Sequence, residues 1–332
     1  MEPYILGIDL GGTKVMAAVL DGEGKIIGRA RAKTRAWRGD EAVFQTVAQT
    51  GRRAIESAGL DSNHIAALGI GAPGPLDPEA GRIIESSNMR FKDFPIGPRL
   101  SDEFGCPSTL DNDVNAGTYG EFKAGAARGA RDVLGLFVGT GIGGGLIING
   151  ALYHGFSKNA GEVGHIVIEA GGGPRCGCGN RGCLEALASR TAMTRDIRKA
   201  IRRGDKTAVS KLLRKDTDVL SGGDLKKAYD AGDELVSRIV RRAAKLIGVG
   251  VGSLVNVLAP EIVVLGGGVV EAMGDDFVQR VDRSARKVAV DFATKDLKIV
   301  RAGLGDDAGV IGAAMLALGA GRINEGTPTP RT

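Results

Sequence analysis

No uninterrupted apolar run in this chain approaches the roughly twenty residues that a membrane-spanning helix requires. Nor does the N-terminus, MEPYILGIDL, show the basic, then apolar, then small-residue order of a secretory signal, so a cytoplasmic protein with no membrane partner is expected. An excess of one charge is also missing: 44 Lys and Arg against 39 Asp and Glu leave +5. That is too small and too dispersed for a nucleic-acid binder, although its sign suits anionic ligands. RRGDK and VRRAAK read as solvated helix faces. The G-x₄-GK[ST] phosphate loop is absent, and the Gly-rich GTGIGGG continues into another strand, LIING, which excludes a P-loop and a Rossmann turn. Cysteine is sparse, with four in 332 residues, and in a reducing compartment a disulfide framework is not expected. Three of those four nevertheless fall between Cys176 and Cys183, and His165 lies eleven positions ahead of the first. A metal site is the expected reason for that concentration.

What is present describes an ordinary soluble globule, 43% hydrophobic and 25% charged, too long for one core and so expected to form two domains. The opening stretch predicts strands over Ile5–Asp9, Val15–Leu20 and Lys25–Arg31, a β-meander separated by Gly-rich turns. Helical spacing follows over Glu41–Ala58, then a short strand over His64–Gly71 ending in the rigid loop GAPGPLD. A second Gly-rich strand pair begins at DVLGLFVGTGIGGGLIINGALY. Helices are predicted over Ser189–Arg203, Thr207–Arg214, Asp224–Leu258 and Gly309–Leu318, with EIVVLGGGVV a buried strand running into a glycine turn. The two Gly-rich openings match: ILGIDLGGTK superposes on VLGLFVGTGI at a shift of 128 positions, with the threonines one residue apart. Duplicated halves are therefore expected, each placing a Gly/Thr turn at a strand end. Facing each other across a cleft, such turns would cradle a polyphosphate with backbone N–H groups; the alternative, for either taken alone, is a mere tight hairpin.

DLGGTK (9–14), GAPGP (71–75), DNDVNA (111–116), GTGIGGG (139–145), GEVGH (161–165), CGCGNRGCLE (176–185) and VLGGGV (264–269) stand in the order seen in the ROK family of sugar kinases and sugar-operon repressors. The resemblance runs from Ile5 to about Leu318. It implies an α/β, two-lobed actin-like ATPase fold of ribonuclease-H-like type, with duplicated β-meander/α cores around a central cleft. The small lobe would comprise residues 1–115, completed by the final helix over 306–320; residues 116–305 would form the large lobe, with a zinc loop over 165–183. The repressors carry a helix-turn-helix module ahead of the first strand. Only four residues stand there in this sequence, which favours the kinase expectation, with no nucleic-acid partner.

His165, Cys176, Cys178 and Cys183 offer one imidazole and three thiolates, the donor set of a closed, structural tetrahedral zinc site. Cys106 lies outside the cluster and reads as an ordinary buried or strand-edge thiol. Glu162 and Glu185 flank the loop, and carboxylates accept from sugar hydroxyls. The resemblance implies that Glu162, His165 and Glu185 contact the sugar, together with Gly74, Asn112 and Asp113. It assigns the catalytic base to Asp113; on residues alone, Asp111 and Asp113 read equally as the cap of the helix that follows. Asp9 would bind Mg²⁺ or only shape its turn. Gly11, Gly12, Thr13 and Lys14 on one side and Thr140 and Gly141 on the other would hold the phosphates of ATP, though Lys14 also reads as an exposed strand residue. Gly266, Gly267 and Gly268 would admit the adenosine. The expected reaction is ATP-dependent phosphorylation of a hexose at its 6-hydroxyl, glucose foremost. N-acetylhexosamine, mannose or fructose are alternative acceptors, polyphosphate an alternative donor, and a sugar sensor without turnover an alternative class. A homodimer or dimer of dimers is implied by the resemblance.

Overall fold

The computed structural model describes residues 3–86, 89–213, 215 and 218–323. The chain forms two compact units: Met1–Gly129 with Leu152–Ala160 and Asp306–Thr332, and Ala130–Ala151 with Gly161–Gly305. A division at residue 115 would cut through a helix, since Asp113–Ala124 is continuous.

In the first unit β1 (Tyr4–Leu10), β2 (Lys14–Leu20) and β3 (Ile26–Lys33) form an antiparallel meander. After α1 (Asp40–Ser57) the chain enters β4 (Ile65–Ala72), which runs parallel to β1. A small three-stranded sheet follows, β5 (Leu76–Asp77), β6 (Arg82–Ser86) and β7 (Phe91–Phe94). Then come α2 (Ile96–Phe104), β8 (Ser108–Asn112) parallel to β4, and α3 (Asp113–Ala124). The main sheet has the order β3-β2-β1-β4-β8. Its sequence pattern follows from that order. β1 is central and reads as a nearly continuous apolar run. β3 is the edge and alternates, exposing Arg29, Arg31 and Lys33, charges that discourage pairing with another chain.

The second unit repeats the plan. β9 (Val133–Val138) and β10 (Ile142–Ile148) pair antiparallel, β11 (Ala151–Leu152) lies on the edge, and the order is β11-β10-β9-β12-β13. Between β11 and β12 lie α4 (Leu184–Ala188), α5 (Arg190–Arg202), α6 (Gly222–Asp230) and α7 (Glu234–Leu258). β12 (Ile262–Gly266) leads to α8 (Gly268–Met273), α9 (Asp275–Ala285), α10 (Asp291–Thr294) and β13 (Lys298–Arg301). The duplication inferred from the 128-residue shift is thus a duplication of sheet order. The pairing also explains why the threonines are displaced by one: Leu10 faces Val15 across four turn residues, whereas Val138 faces Ile142 across three.

Two predicted helices differ. The helix expected over Asp224–Leu258 is two helices, because Gly232 takes φ 76° and Asp233 caps α7, accepting from Val236 N–H at 3.0 Å. Thr207–Arg214 contains only a 3₁₀ turn over Ala208–Leu212, and Arg214 lies outside the described residues. Asp233 is again the cause, since its other oxygen accepts from Thr207 Oγ1 at 2.7 Å and Ala208 N–H at 2.8 Å, pinning that segment as a loop. The final helix, α11 (Ala308–Ile323), returns to the first unit and packs on β1, β4 and α3. Close approach there requires glycine: a Cβ at Gly69 would lie 1.8 Å from the Ala313 carbonyl oxygen, and one at Gly312 would lie 1.7 Å from that of Ala116. No helix among the described residues is long and apolar enough to cross a membrane.

Candidate active site

In the first unit the functional side chains gather where β1, β4 and β8 end. Asp9 is the penultimate residue of β1, and burial, then the charge of Asp113, push its carboxyl up to about 7. The first turn of α11 presses on it, for a Cβ at Gly309 would lie 2.8 Å from the Asp9 Cγ. In the turn that follows, the Gly11 N–H donates to the Lys14 carbonyl at 3.0 Å, while nothing lies within 4 Å of a Cβ built on Gly12. Thr13 holds the turn to the neighbouring strand through its carbonyl, which accepts from Thr34 N–H at 3.0 Å. Lys14 is half-exposed and pairs with Asp306 at 2.6 Å.

The β8–α3 junction corrects one expectation. The cap of α3 is neither Asp111 nor Asp113 but Asn112, whose Oδ1 accepts from Val114 N–H at 2.9 Å and Asn115 N–H at 3.3 Å. Asp113 is the first helical residue, and its Oδ1 accepts from Val114 N–H at 2.9 Å. Gly74 backs onto the same junction, 3.8 Å separating its would-be Cβ from Asn112 Nδ2. Asp111 is buried behind it and bonds to His154 Nε2 at 2.6 Å.

The second unit builds a matching set around the turn between β9 and β10. Here the Gly139 N–H donates to the Gly141 carbonyl at 2.9 Å, the counterpart of the Gly11–Lys14 bond. Glu185, on the first turn of α4, reaches this turn: its Oε2 accepts from Ile142 N–H at 2.9 Å, and its Oε1 lies 3.8 Å from the Cys176 sulfur. Thr140 is held by α5, with Arg190 Nη2 donating to its Oγ1 at 2.7 Å and Thr191 Oγ1 donating to its carbonyl at 2.8 Å. The 161–165 loop packs on β10, because a Cβ at Gly164 would lie 2.0 Å from the Ile142 carbonyl oxygen. That contact sets Glu162 and His165, whose Oε2 and Nε2 are 3.7 Å apart. Of the three glycines from the last residue of β12 onward, two answer to the fold: a Cβ at Gly266 would meet the Phe137 ring at 2.6 Å, and Gly267 has φ 86° with Val138 backbone 2.7 Å from a would-be Cβ. Gly268 faces open space.

The ligand atoms of His165, Cys176, Cys178 and Cys183 all lie within 4.8 Å of one another. His165 Nδ1 is 3.5 Å from the Cys176 sulfur, and the Cys178 and Cys183 sulfurs are 3.7 Å apart. A tetrahedral ion with metal–sulfur bonds of about 2.3 Å needs sulfurs about 3.8 Å apart, so the set fits one. The Cys183 thiol is pushed up to about 12 by burial and by its two neighbouring thiols. Three thiolates cannot be held together at neutral pH unless a cation compensates them. For Mg²⁺ the donor chemistry also fits, since Asp9 offers a carboxylate oxygen with Asp113 and Asp306 close enough to raise its pKa.

Within the first unit the structure therefore brings together Asp9, Gly74, Asn112 and Asp113, and within the second Thr140, Gly141, Glu162, His165, Glu185, Gly267, Cys176, Cys178 and Cys183. Sequence reasoning missed His154, Arg190 and Gly309. Only His154 left a signal, being one of three histidines in the chain.

A profile of the ROK family matches residues 5–320. The glucokinase of Halalkalibacterium halodurans is 32% identical over 315 residues, 95% of each chain. The crystal structure of a ROK hexokinase from Thermus thermophilus superposes with a TM-score of 0.79 at 35% identity, covering 97% of this chain and 100% of that one. A ROK family glucokinase from Streptomyces griseus, solved with glucose and AMPPNP, gives a TM-score of 0.82 at 30% identity over 95% of this chain and 99% of that one. Sheet order, motif order and similarity along nearly the whole length lead to one conclusion: this chain belongs to the ROK family.

Proposed function

We propose that this sugar kinase transfers the terminal phosphoryl group of ATP to the 6-hydroxyl of a hexose, with glucose preferred. The observation that carries the assignment is the β8–α3 junction. Asn112 supplies the cap, and Asp113, the first helical residue, stands at the strand ends close enough to Asp9 for its charge to raise the Asp9 pKa. There Asp113 takes the proton of the attacking hydroxyl. A base is needed only late in a loose phosphoryl-transfer transition state, and most of the rate comes from positioning and charge stabilisation.

Asn112 and Gly74 orient the hydroxyls near the reacting carbon; Glu162, His165 and Glu185 accept from or donate to the others. Gly12, Thr13, Thr140, Gly141 and Gly268 approach the nucleotide, and ATP supplies the transferred group. Asp9 would hold Mg²⁺, which neutralises phosphate charge. Zn²⁺ on His165 Nδ1 and the three sulfurs would be structural, fixing the imidazole so that Nε2, on the Glu162 side, donates to the sugar. The relatives described as glucokinases, and the neighbour that binds glucose and AMPPNP, support glucose and ATP.

An ADP-release assay with glucose, mannose, fructose, N-acetylglucosamine and N-acetylmannosamine tests this. Glucose is expected to give the highest kcat/KM. An N-acetylated sugar surpassing it overturns the substrate, and no turnover with any sugar overturns the enzyme in favour of a sensor.

A further inference from the structure

The stretch from Leu152, the last residue of β11, to Ala160 belongs to the first unit, and its attachment there is specific. His154 Nε2 lies 2.6 Å from Asp111 Oδ2, and 43 positions separate the two in sequence. Asp111 is 4% exposed, and a buried carboxylate must find donors. Its Oδ1 accepts from groups of its own junction, Asn112 N–H at 2.7 Å and Asn115 Nδ2 at 2.9 Å. The donor to Oδ2 comes from outside it, from His154. The segment that carries His154 is itself closed, Ala160 N–H donating to the His154 carbonyl at 2.9 Å. Lys158 reaches Glu79 at 2.7 Å through exposed side chains, a contact that screening makes weak.

Resting on the kinase reading above, we propose that His154 is a positioning residue for the reaction: through Asp111 it fixes the end of β8 and the first turn of α3, and so the attitude of Asn112 and Asp113. The two oxygens of Asp111 divide the task. One ties the backbone of Asn112 to the side chain of Asn115, and the other ties that assembly to a histidine belonging to a distant stretch of chain. Cutting the second tie leaves a buried carboxylate oxygen without its donor, at one residue's remove from the sugar-orienting Asn112. The junction must then shift to hydrate it. Displacement of a catalytic group by about 1 Å is enough to cost on the order of a hundredfold in rate. The raised pKa of His154, caused first by its bond to Asp111, agrees with a charge-assisted contact.

The test uses the full-length protein as His154→Ala, His154→Gln and Lys158→Ala. Glutamine keeps an N–H donor near the position of Nε2; alanine does not. In His154→Ala the amides of residues 108–118 are expected to exchange with deuterium at least about tenfold faster, and kcat to fall at least about tenfold with the ATP KM within about twofold. His154→Gln is expected to recover most of both, and Lys158→Ala to change neither. Unchanged exchange at 108–118 in His154→Ala overturns the proposal, as does a kcat loss that His154→Gln does not rescue. The exchange arm needs no turnover, so a wild-type protein inactive on every sugar would defeat the kinase reading while still deciding whether His154 holds the junction.

Discussion

Gly141 offers the sharpest way to perturb the sugar side from the phosphate side. A Cβ added there would lie 2.3 Å from Glu185 Oε2 and 3.2 Å from Cδ. Ordinary contact lies near 3.5 Å, so the carboxylate must withdraw by about 1 Å. No backbone obstacle adds to this, because the clash is with the far end of a flexible side chain. What Gly141→Ala removes is the 2.9 Å bond from Ile142 N–H to Glu185, and Ile142 is buried. An unpaired buried N–H costs about 1–3 kcal/mol, which sets the expected loss of stability at a few degrees in Tm. The larger effect should be functional. If Glu185 accepts from a sugar hydroxyl, its displacement forfeits a charge-assisted bond, and about 1.4 kcal/mol is already tenfold in affinity. The glucose KM measured at saturating ATP should therefore rise at least about tenfold, while the ATP KM at saturating glucose changes less. A variant whose ATP KM rises while its glucose KM stays at the wild-type value would refute the reasoning, since Glu185 would then serve the turn and not the sugar.

Asp113→Asn keeps size and hydrogen bonding but not proton acceptance, so kcat should fall at least about a hundredfold with glucose affinity little changed; turnover near wild type would remove Asp113 as the base. Chelation, or Cys178→Ser, should weaken glucose binding and lower Tm while leaving nucleotide affinity, measured separately, nearly intact. A metal-free preparation with unaltered glucose affinity would contradict a loop organised by zinc. His154 gives a pH signature. Its folded-state pKa is raised above 6.5, chiefly by Asp111, so its contribution to stability is full below 6.5 and is lost as pH rises through the folded value. The Tm advantage of wild type over His154→Gln should thus be larger at pH 6 than at pH 9, and a constant difference would mean that no charged histidine is involved.

Much of this molecule is legible without coordinates because its signals are local. The glycine turns at 11–14 and 139–141 mark strand ends, and the repeated strand–turn–strand pattern proved to be a repeated sheet order. The Cys-x-Cys and Cys-x₄-Cys spacings keep three sulfurs within reach of one another whatever the surroundings. Errors arose where a local signal had a distant competitor. Asp233 broke the 224–258 helix, and the same side chain held Thr207 in a loop. At the β8–α3 junction three consecutive polar residues all suit a cap, and which one serves depends on which is engaged elsewhere. Asp111 turns inward to His154, leaving Asn112 to cap.

By itself, then, the sequence determined the strands, the duplication and the thiol cluster, each a matter of residue type at short spacing, while the candidate base came only from the order of motifs that the chain shares with its family. Tertiary structure alone decided the partnerships: Glu185 with the Ile142 amide, Arg190 with Thr140, Gly309 against Asp9, and His154 with Asp111. Those contacts join residues 43 or more positions apart. Periodicity and spacing carry no information at that range, because a buried carboxylate takes whichever donor the packing of sheets and helices brings to it.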